Sequence, residues 1–481
     1  MIELRPVVFI LGVLLSILAV AMVIPAMVDA IVGHPDWQVF SAASGTTLFV
    51  GVSMILTSRS GWSGFSVRQA FVLTTLAWVV IAAFGSLPFA YSELGLSVTD
   101  AFFESMSGVT TTGSTVIVGL DNAPPGILLW RAILQWLGGI GIIVMAISVL
   151  PFLRVGGMQM FRVEAFEADK ILPRAAQIAA GICLIYISLT LIAALALWAL
   201  GMTGFEAVAH AMTAIATGGY STSDQSLAHF NSPAIDMTIS LVMVIGSMPF
   251  VLHLRAVRGD PMAPLRDSQV HWMFGLLGLA IASMAAWLWF GGLMPLGEAL
   301  RHSIFNVISV MTGTGYTSDN FGAWGGFAAA VLFSLMFFGG CAGSTTCGMK
   351  IFRFQVLHAT AMVQFKRLLQ PNGVFFAYYN RKPIPDSVTA SVLGFFFLYV
   401  ASFAVLAIGL GMFGLDFVTA VSGAATAISN VGPGLGDIIG PAGTFKPLPD
   451  AAKWLLSAGM LLGRLELFTV LVLFTPAFWR G

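Results

Sequence analysis

Thr111-Thr112-Gly113-Ser114, Thr217-Gly218-Gly219-Tyr220, Gly313-Thr314-Gly315-Tyr316 and Asn430-Val431-Gly432-Pro433 recur at intervals of roughly one hundred residues. Each follows an apolar run too short to cross a bilayer and precedes one long enough to do so. Repetition of this kind sets the architecture before any single motif does: a helix–loop–helix pore unit copied four times in one polypeptide. A lone glycine cluster would carry little, because Gly fills 52 of 481 positions. Four copies in matching context carry the reading.

Composition agrees. The chain is 58% hydrophobic and 9% charged, with mean hydropathy +0.91, whereas a soluble domain is about 25% charged. Formal net charge is zero, and no basic tract points to nucleic acid. Cys183, Cys341 and Cys347 lie in apolar context without the paired spacing of a disulfide or metal site, and read as packing residues. Val7 to Val23 reads as a retained membrane span, since a second apolar run follows it.

A bilayer core takes about 20 apolar residues per helix. Ten runs qualify: 7–32, 39–58, 69–91, 130–153, 178–201, 236–254, 270–292, 325–347, 389–412 and 453–478. Four shorter pieces, 99–111, 205–217, 297–311 and 416–428, reach about halfway at ~1.5 Å per residue and read as re-entrant pore helices. The expected organisation is an all-α polytopic membrane protein. An N-terminal hairpin (1–62) is followed by four pseudo-symmetric pore repeats at 63–165, 166–262, 263–385 and 386–481. With the N-terminus inside, Arg131, Arg301, Lys446, Lys453 and Arg464 are the exceptions among 22 Lys and Arg; the remainder fall on the cytoplasmic side. The four glycine loops then face outward.

Non-helical backbone at membrane depth is tolerated only where protein buries it or water lines it. Four such loops on one axis can turn carbonyl oxygens inward and replace a cation's hydration shell. Glycine suits this because it takes positive φ without steric cost. Each pore helix directs its C-terminal partial negative charge at the ion, and neutral oxygens favour a monovalent cation over a divalent one. The candidate ion-binding residues are Thr111, Thr112, Gly113, Thr217, Gly218, Gly219, Thr314, Gly315, Asn430, Val431 and Gly432. The competing reading of glycine in membrane helices is close packing, which suits Gly138-Gly139.

The loops resemble degenerate copies of the potassium-channel Thr-Val-Gly-Tyr-Gly filter joined in one chain, as in the Trk/Ktr/HKT superfamily of cation transporters. Asn430-Val431-Gly432-Pro433-Gly434, Met311 to Tyr316, Gln135 to Gly139 and Gly463 to Phe468 carry the resemblance. The N-terminal hairpin is similar to the Trk branch. The resemblance implies potassium (K+) as the transported ion, with no covalently bound cofactor, through a layer made by Gly113, Gly219, Gly315 and Gly432. In plant relatives a serine at the first of these positions accompanies sodium transport; glycine there favours potassium. It further implies a bacterial cytoplasmic (inner) membrane location, a homodimer, and a TrkA-like cytosolic nucleotide-binding regulator, since the chain carries no P-loop or dinucleotide fingerprint of its own.

Gly339 to Gly348 interrupts the eighth span with glycines and a Ser-Thr-Thr run that do not sustain a rigid helix. It reads as an intramembrane gate through Gly340, Gly343, Ser344, Thr345, Thr346 and Gly348, or as a packing kink. The polar stretch Lys350 to Asp386 is the expected partner-docking surface. Arg464, deep in the last span, is costly to insert and reads as a pore charge or as a salt bridge to Glu466. His210 and His302 read as structural. Asp100, Glu206, Glu298 and Asp416 read as caps at pore-helix starts. The alternatives are a proton- or sodium-coupled potassium symporter, which needs a midplane titratable group, and a membrane hydrolase using His302 and Ser303.

Overall fold

The computed structural model describes residues 3–59, 66–148, 171–380 and 382–480. Arg154, Arg162, Lys170, Arg381, the end of the expected fourth span and the expected boundaries after residues 62 and 165 lie outside them. Two long helices, Arg5–Val32 and Trp37–Ser58, pair in front of the pore units. Small residues allow close approach: a Cβ on Gly12 would stand 2.7 Å from the Gly51 carbonyl oxygen. The hairpin is tied to the body by Asp29, whose carboxylate accepts the Gly126 N–H at 2.6 Å, at the start of helix Pro125–Ser148.

Four short helices follow the expected pattern: Val98–Val109, Gly204–Ile215, Leu296–Met311 and Phe417–Ser429. Their starts are capped in different ways. Ser97 accepts from the Asp100 N–H, Thr203 and Glu206 form a reciprocal capping box, and Asp416 accepts from the Thr419 N–H. Glu298 lies in the first turn of its helix. Of the four expected carboxylate caps, Asp416 is the N-cap itself and Glu206 caps by accepting the Thr203 N–H at 2.9 Å; Asp100 instead meets the Lys453 ammonium at 2.6 Å.

The helices after the loops depart from expectation. Among the described residues seven helices are long and apolar enough to span a membrane, or nine if two bent pairs each count once, against ten expected. The run 236–254 divides into Pro233–Ser247 and Phe250–Val257, bent by 97°. Pro249 has no N–H to continue the ladder, and the Phe250 N–H goes to the Gly343 carbonyl at 3.0 Å. The run 325–347 is helical only over Gly326–Met336. The run 453–478 turns by 109° between Asp450–Arg464 and Phe468–Phe474, where Glu466 and Leu467 hold φ of 62° and 45°. Each break gives up helical hydrogen bonds where protein can replace them.

Four of the five basic residues that broke the positive-inside pattern are satisfied locally, three by carboxylates and one by neutral carbonyls. Arg131 pairs with Glu104 at 2.8 Å, Arg301 with Asp236 at 2.8 Å, and Lys453 with Asp100. Arg464 is held by carbonyls. A buried charge persists only when paired or hydrogen-bonded, and these contacts are how the protein accommodates the four cations.

Candidate functional site

Each pore helix ends the same way. The residue two before the central glycine is left-handed: Thr111 (φ 52°), Thr217 (50°), Gly313 (69°) and Asn430 (54°). The next residue returns its N–H to the helix five positions back: Thr112 to Ser107, Gly218 to Thr213, Thr314 to Ser309 and Val431 to Thr426, at 2.8 to 3.1 Å. This is the double-turn cap that glycine ordinarily supplies. A threonine there is strained, because its branched Cβ crowds the carbonyl. The central glycines Gly113, Gly219, Gly315 and Gly432 are left-handed too, at φ 76° to 105°. Two left-handed residues separated by one other thus recur in all four loops.

The loops close into a ring in chain order. A Cβ on Gly113 would lie 2.3 Å from the Gly218 oxygen, one on Gly219 1.8 Å from the Thr314 oxygen, and one on Gly315 2.0 Å from the Val431 oxygen. The circuit completes with Gly432, 2.8 Å from the Thr112 oxygen by the same measure. Each central glycine therefore packs against the carbonyl just before the central glycine of the next repeat. All four line one open cavity of about 530 Å³.

Side chains from neighbouring repeats bind the ring together. Ser114 donates to the Gly432 carbonyl at 2.8 Å, and Asn430 donates to Thr112 Oγ1 at 2.8 Å. Gln135 donates to the Gly218 carbonyl at 2.6 Å and accepts the Tyr220 N–H at 3.0 Å. Tyr220 donates to the Glu104 carbonyl at 2.8 Å. Gly138 and Gly463 admit the pore-helix ends, since Cβ atoms there would come within 2.0 Å of the Val109 and Ile428 oxygens. Close packing is therefore what Gly138 does.

The segment Gly339 to Lys350 lies against the helix-side end of this ring. The chain doubles back, with the Gly339 N–H on Met349 and the Met349 N–H on Phe337. Gly343 and Gly348 take φ of 76° and 68°. Thr345 donates to the Gly246 carbonyl at 2.8 Å and the Ile215 carbonyl at 3.1 Å, and Thr217 Oγ1 reaches Thr345 Oγ1 at 3.2 Å. Thr111 Oγ1 is 3.7 Å from Cys347 Sγ. Both strained threonines thus touch this loop. Within it, Ser344 and Thr346 hydroxyls meet at 2.7 Å, and the Gly340 N–H binds Thr346 at 3.0 Å.

Arg464, 2% exposed, donates to the Thr345 carbonyl at 3.0 Å and the Gly138 carbonyl at 2.9 Å, and also contacts Cys347 Sγ. Glu466 does not pair with it; its partner is Arg353 on helix Ile351–Leu369. A cavity of about 380 Å³ below the loop is lined by Ser344, Thr346, Cys347, Lys350, Arg464 and Glu466, among others. The first turns of helix Ile351–Leu369 are buried through Val356, so the expected docking stretch turns to the surface only further along. His210 sits between the Glu206 carbonyl and Ser221 Oγ, and His302 faces Ser318 Oγ at 2.9 Å and not Ser303. Both histidines serve structure.

Sequence reasoning passed over Glu104 as the partner of Arg131, and it read Gln135 and Tyr220 as motif residues without the bonds they make to the loops. The available signal was Arg131 itself, a cation on the wrong side of the membrane, which required a buried carboxylate nearby.

The family description "TrkH: Cation transport protein" matches residues 37–278 and 290–480. The chain is 49% identical to the "Trk system potassium uptake protein TrkI" of Halomonas elongata, over 99% of this chain and 97% of that one. It is 37% identical to the "Trk system potassium uptake protein TrkH" of Escherichia coli K12, over 99% of both. The crystal structure of the potassium transporter TrkH from Vibrio parahaemolyticus superposes with a TM-score of 0.93 at 36% identity, covering 100% of each chain.

Proposed function

This chain belongs to the TrkH family of cation transport proteins, and from that premise we propose that its four glycine loops form the filter of a potassium uptake pore. The protein is a multi-pass membrane transport subunit and not an enzyme, and its site is the bacterial inner membrane. The observation that carries the filter reading is the closed circuit of Gly113, Gly219, Gly315 and Gly432, each left-handed and each against the carbonyl of the next repeat. Left-handed residues in alternation turn neighbouring carbonyls toward one side, and neutral oxygens so gathered replace the hydration of a monovalent cation. The ligands are the backbone and hydroxyl oxygens of Thr111, Thr112, Gly113, Thr217, Gly218, Gly219, Thr314, Gly315, Asn430, Val431 and Gly432. Four pore-helix C-termini add partial negative charge at the same place.

Beneath the filter, Gly340, Gly343, Ser344, Thr345, Thr346 and Gly348 form the gate, and Arg464 latches it through Thr345 while opposing cation entry. A TrkA-like cytosolic nucleotide-binding regulator and a second copy of the chain complete the assembly. The test is rubidium uptake into vesicles holding the purified protein, driven by a potassium gradient, with and without a proton gradient. Uptake that follows the potassium gradient alone supports the pore. Uptake that requires the proton gradient overturns it in favour of symport.

A further inference from the structure

The residues nine positions before the four filter glycines are Glu104, His210, Asn306 and Gly423. The first three are fully buried on their pore helices, and each reaches across to the outer limb of its own loop. Glu104 accepts the Val116 N–H at 2.9 Å and the Thr115 hydroxyl at 3.0 Å. His210 Nε2 lies 3.1 Å from Ser221 Oγ. Asn306 donates to Ser318 Oγ at 2.9 Å and accepts the Ser318 N–H at 3.3 Å. The fourth repeat has no side chain at this position, and the preceding Ser422 accepts the Leu435 N–H at 2.9 Å. In every repeat the partner lies two or three residues beyond the filter glycine. Four different side chains make one geometry.

The first repeat alone uses a charge for this, and its brace extends to the second repeat. Arg131 donates Nε to Glu104 at 2.8 Å and Nη1 to the Ser221 carbonyl at 2.8 Å, beside the hydroxyl that meets His210. Its guanidinium also stacks 4.0 Å from the Tyr220 ring centroid. Burying such a pair is costly, and stability alone would be served as well by apolar side chains. What a hydrogen-bonded pair supplies that packing does not is a fixed direction and distance at each end.

We propose that these braces, with Glu104 and Arg131 foremost, set the preference for potassium over sodium by holding the outer limb of each filter loop at a fixed distance from its pore helix. The inference rests on the filter reading above. A ring of neutral oxygens separates two monovalent cations only while it resists closing on the smaller one and keeps its number of ligands. The loops have no ladder of their own to supply that resistance, so it comes from side chains behind them. Glu104 and Arg131 are positioning residues; they act on the ion through the loops of repeats 1 and 2.

The experiment measures rubidium and sodium uptake by the full chain in vesicles, for wild type and three variants. Glu104→Gln keeps an acceptor for Val116 but loses the ionic partner of Arg131; it lowers the rubidium-to-sodium ratio about tenfold, or about 1.4 kcal/mol of preference. Thr115→Val, which removes only one hydroxyl, shifts the ratio the same way by a smaller factor. Ser44→Ala removes a buried hydrogen bond to the Ala19 carbonyl within the N-terminal hairpin and leaves the ratio at the wild-type value. If Glu104→Gln does not fold, Thr115→Val decides. Folded variants of Glu104 and Thr115 that both keep the wild-type ratio overturn the proposal, as does an equal loss in Ser44→Ala. A wild-type protein without potassium preference overturns the filter assignment itself, and the brace with it.

Discussion

If Gly113, Gly219, Gly315 and Gly432 form the filter as proposed, alanine substitution there should damage transport in a defined order. The new Cβ would stand 1.8 Å from a carbonyl oxygen at Gly219, 2.0 Å at Gly315, 2.3 Å at Gly113 and 2.8 Å at Gly432. Ordinary contact begins near 3.4 Å, so the facing oxygen must retreat by about 1.6, 1.4, 1.1 and 0.6 Å respectively. Left-handed backbone costs alanine a further ~1–2 kcal/mol, but that term is common to all four sites and cancels from the ranking. An oxygen moved by more than about 1 Å no longer ligates the ion that its neighbours hold. Gly219→Ala and Gly315→Ala should therefore lose most potassium selectivity, Gly113→Ala a large part, and Gly432→Ala least. Gly113→Ser meets the same Gly218 oxygen and should move the ratio toward sodium. Rubidium and sodium uptake in vesicles, normalised to folded protein, measures the series. The reasoning is refuted if Gly432→Ala is the most damaging or if Gly219→Ala retains wild-type selectivity.

Arg464→Ala removes two charge-assisted hydrogen bonds, to Thr345 and Gly138, of the kind worth ~1.5–3 kcal/mol each. It should speed rubidium uptake severalfold with the ion preference unchanged, and Arg464→Lys should fall between; a folded variant no faster than wild type refutes the latch. Deleting Gly340 to Thr346 removes the segment that Thr345 anchors to Ile215 and Gly246, and uptake per folded protein should rise, an unchanged rate counting against the gate. Asp416→Ala loses the cap on the fourth pore helix and should cost about 1 kcal/mol of stability, read as a lower unfolding temperature in detergent, whereas Asp416→Asn should recover most of it. The Thr419 side-chain and backbone hydrogen bonds hold the Asp416 carboxyl below its ordinary value of 3.8. The part of its stabilisation that depends on charge is therefore present above that pH and lost as pH falls through the lowered value, so the Asp416→Ala deficit should narrow in strong acid towards what a neutral cap supplies.

What the sequence by itself determined is local and periodic. Apolar runs too short to span a bilayer, each ending in glycine, specify four pore helices because hydropathy and backbone freedom are properties of a few adjacent residues. The placement of Lys and Arg is legible for a similar reason: it depends on where charge lies along the chain, not on what it touches. The strain at Thr111 and Thr217 was hidden, since nothing in a threonine announces left-handed backbone that only its surroundings enforce. The breaks in the second helices of the later repeats were equally hidden. A composition apolar enough for a span does not reveal that Phe250 gives its N–H to Gly343, or that Glu466 turns to Arg353. Closing the ring is what decided these partners. Ser114 meets Gly432 across 318 residues, and Arg464 meets Gly138 across 326. Contacts at such separation exist only once four units stand around one axis, because a side chain's partner is chosen by the space it enters and not by its neighbours in the chain.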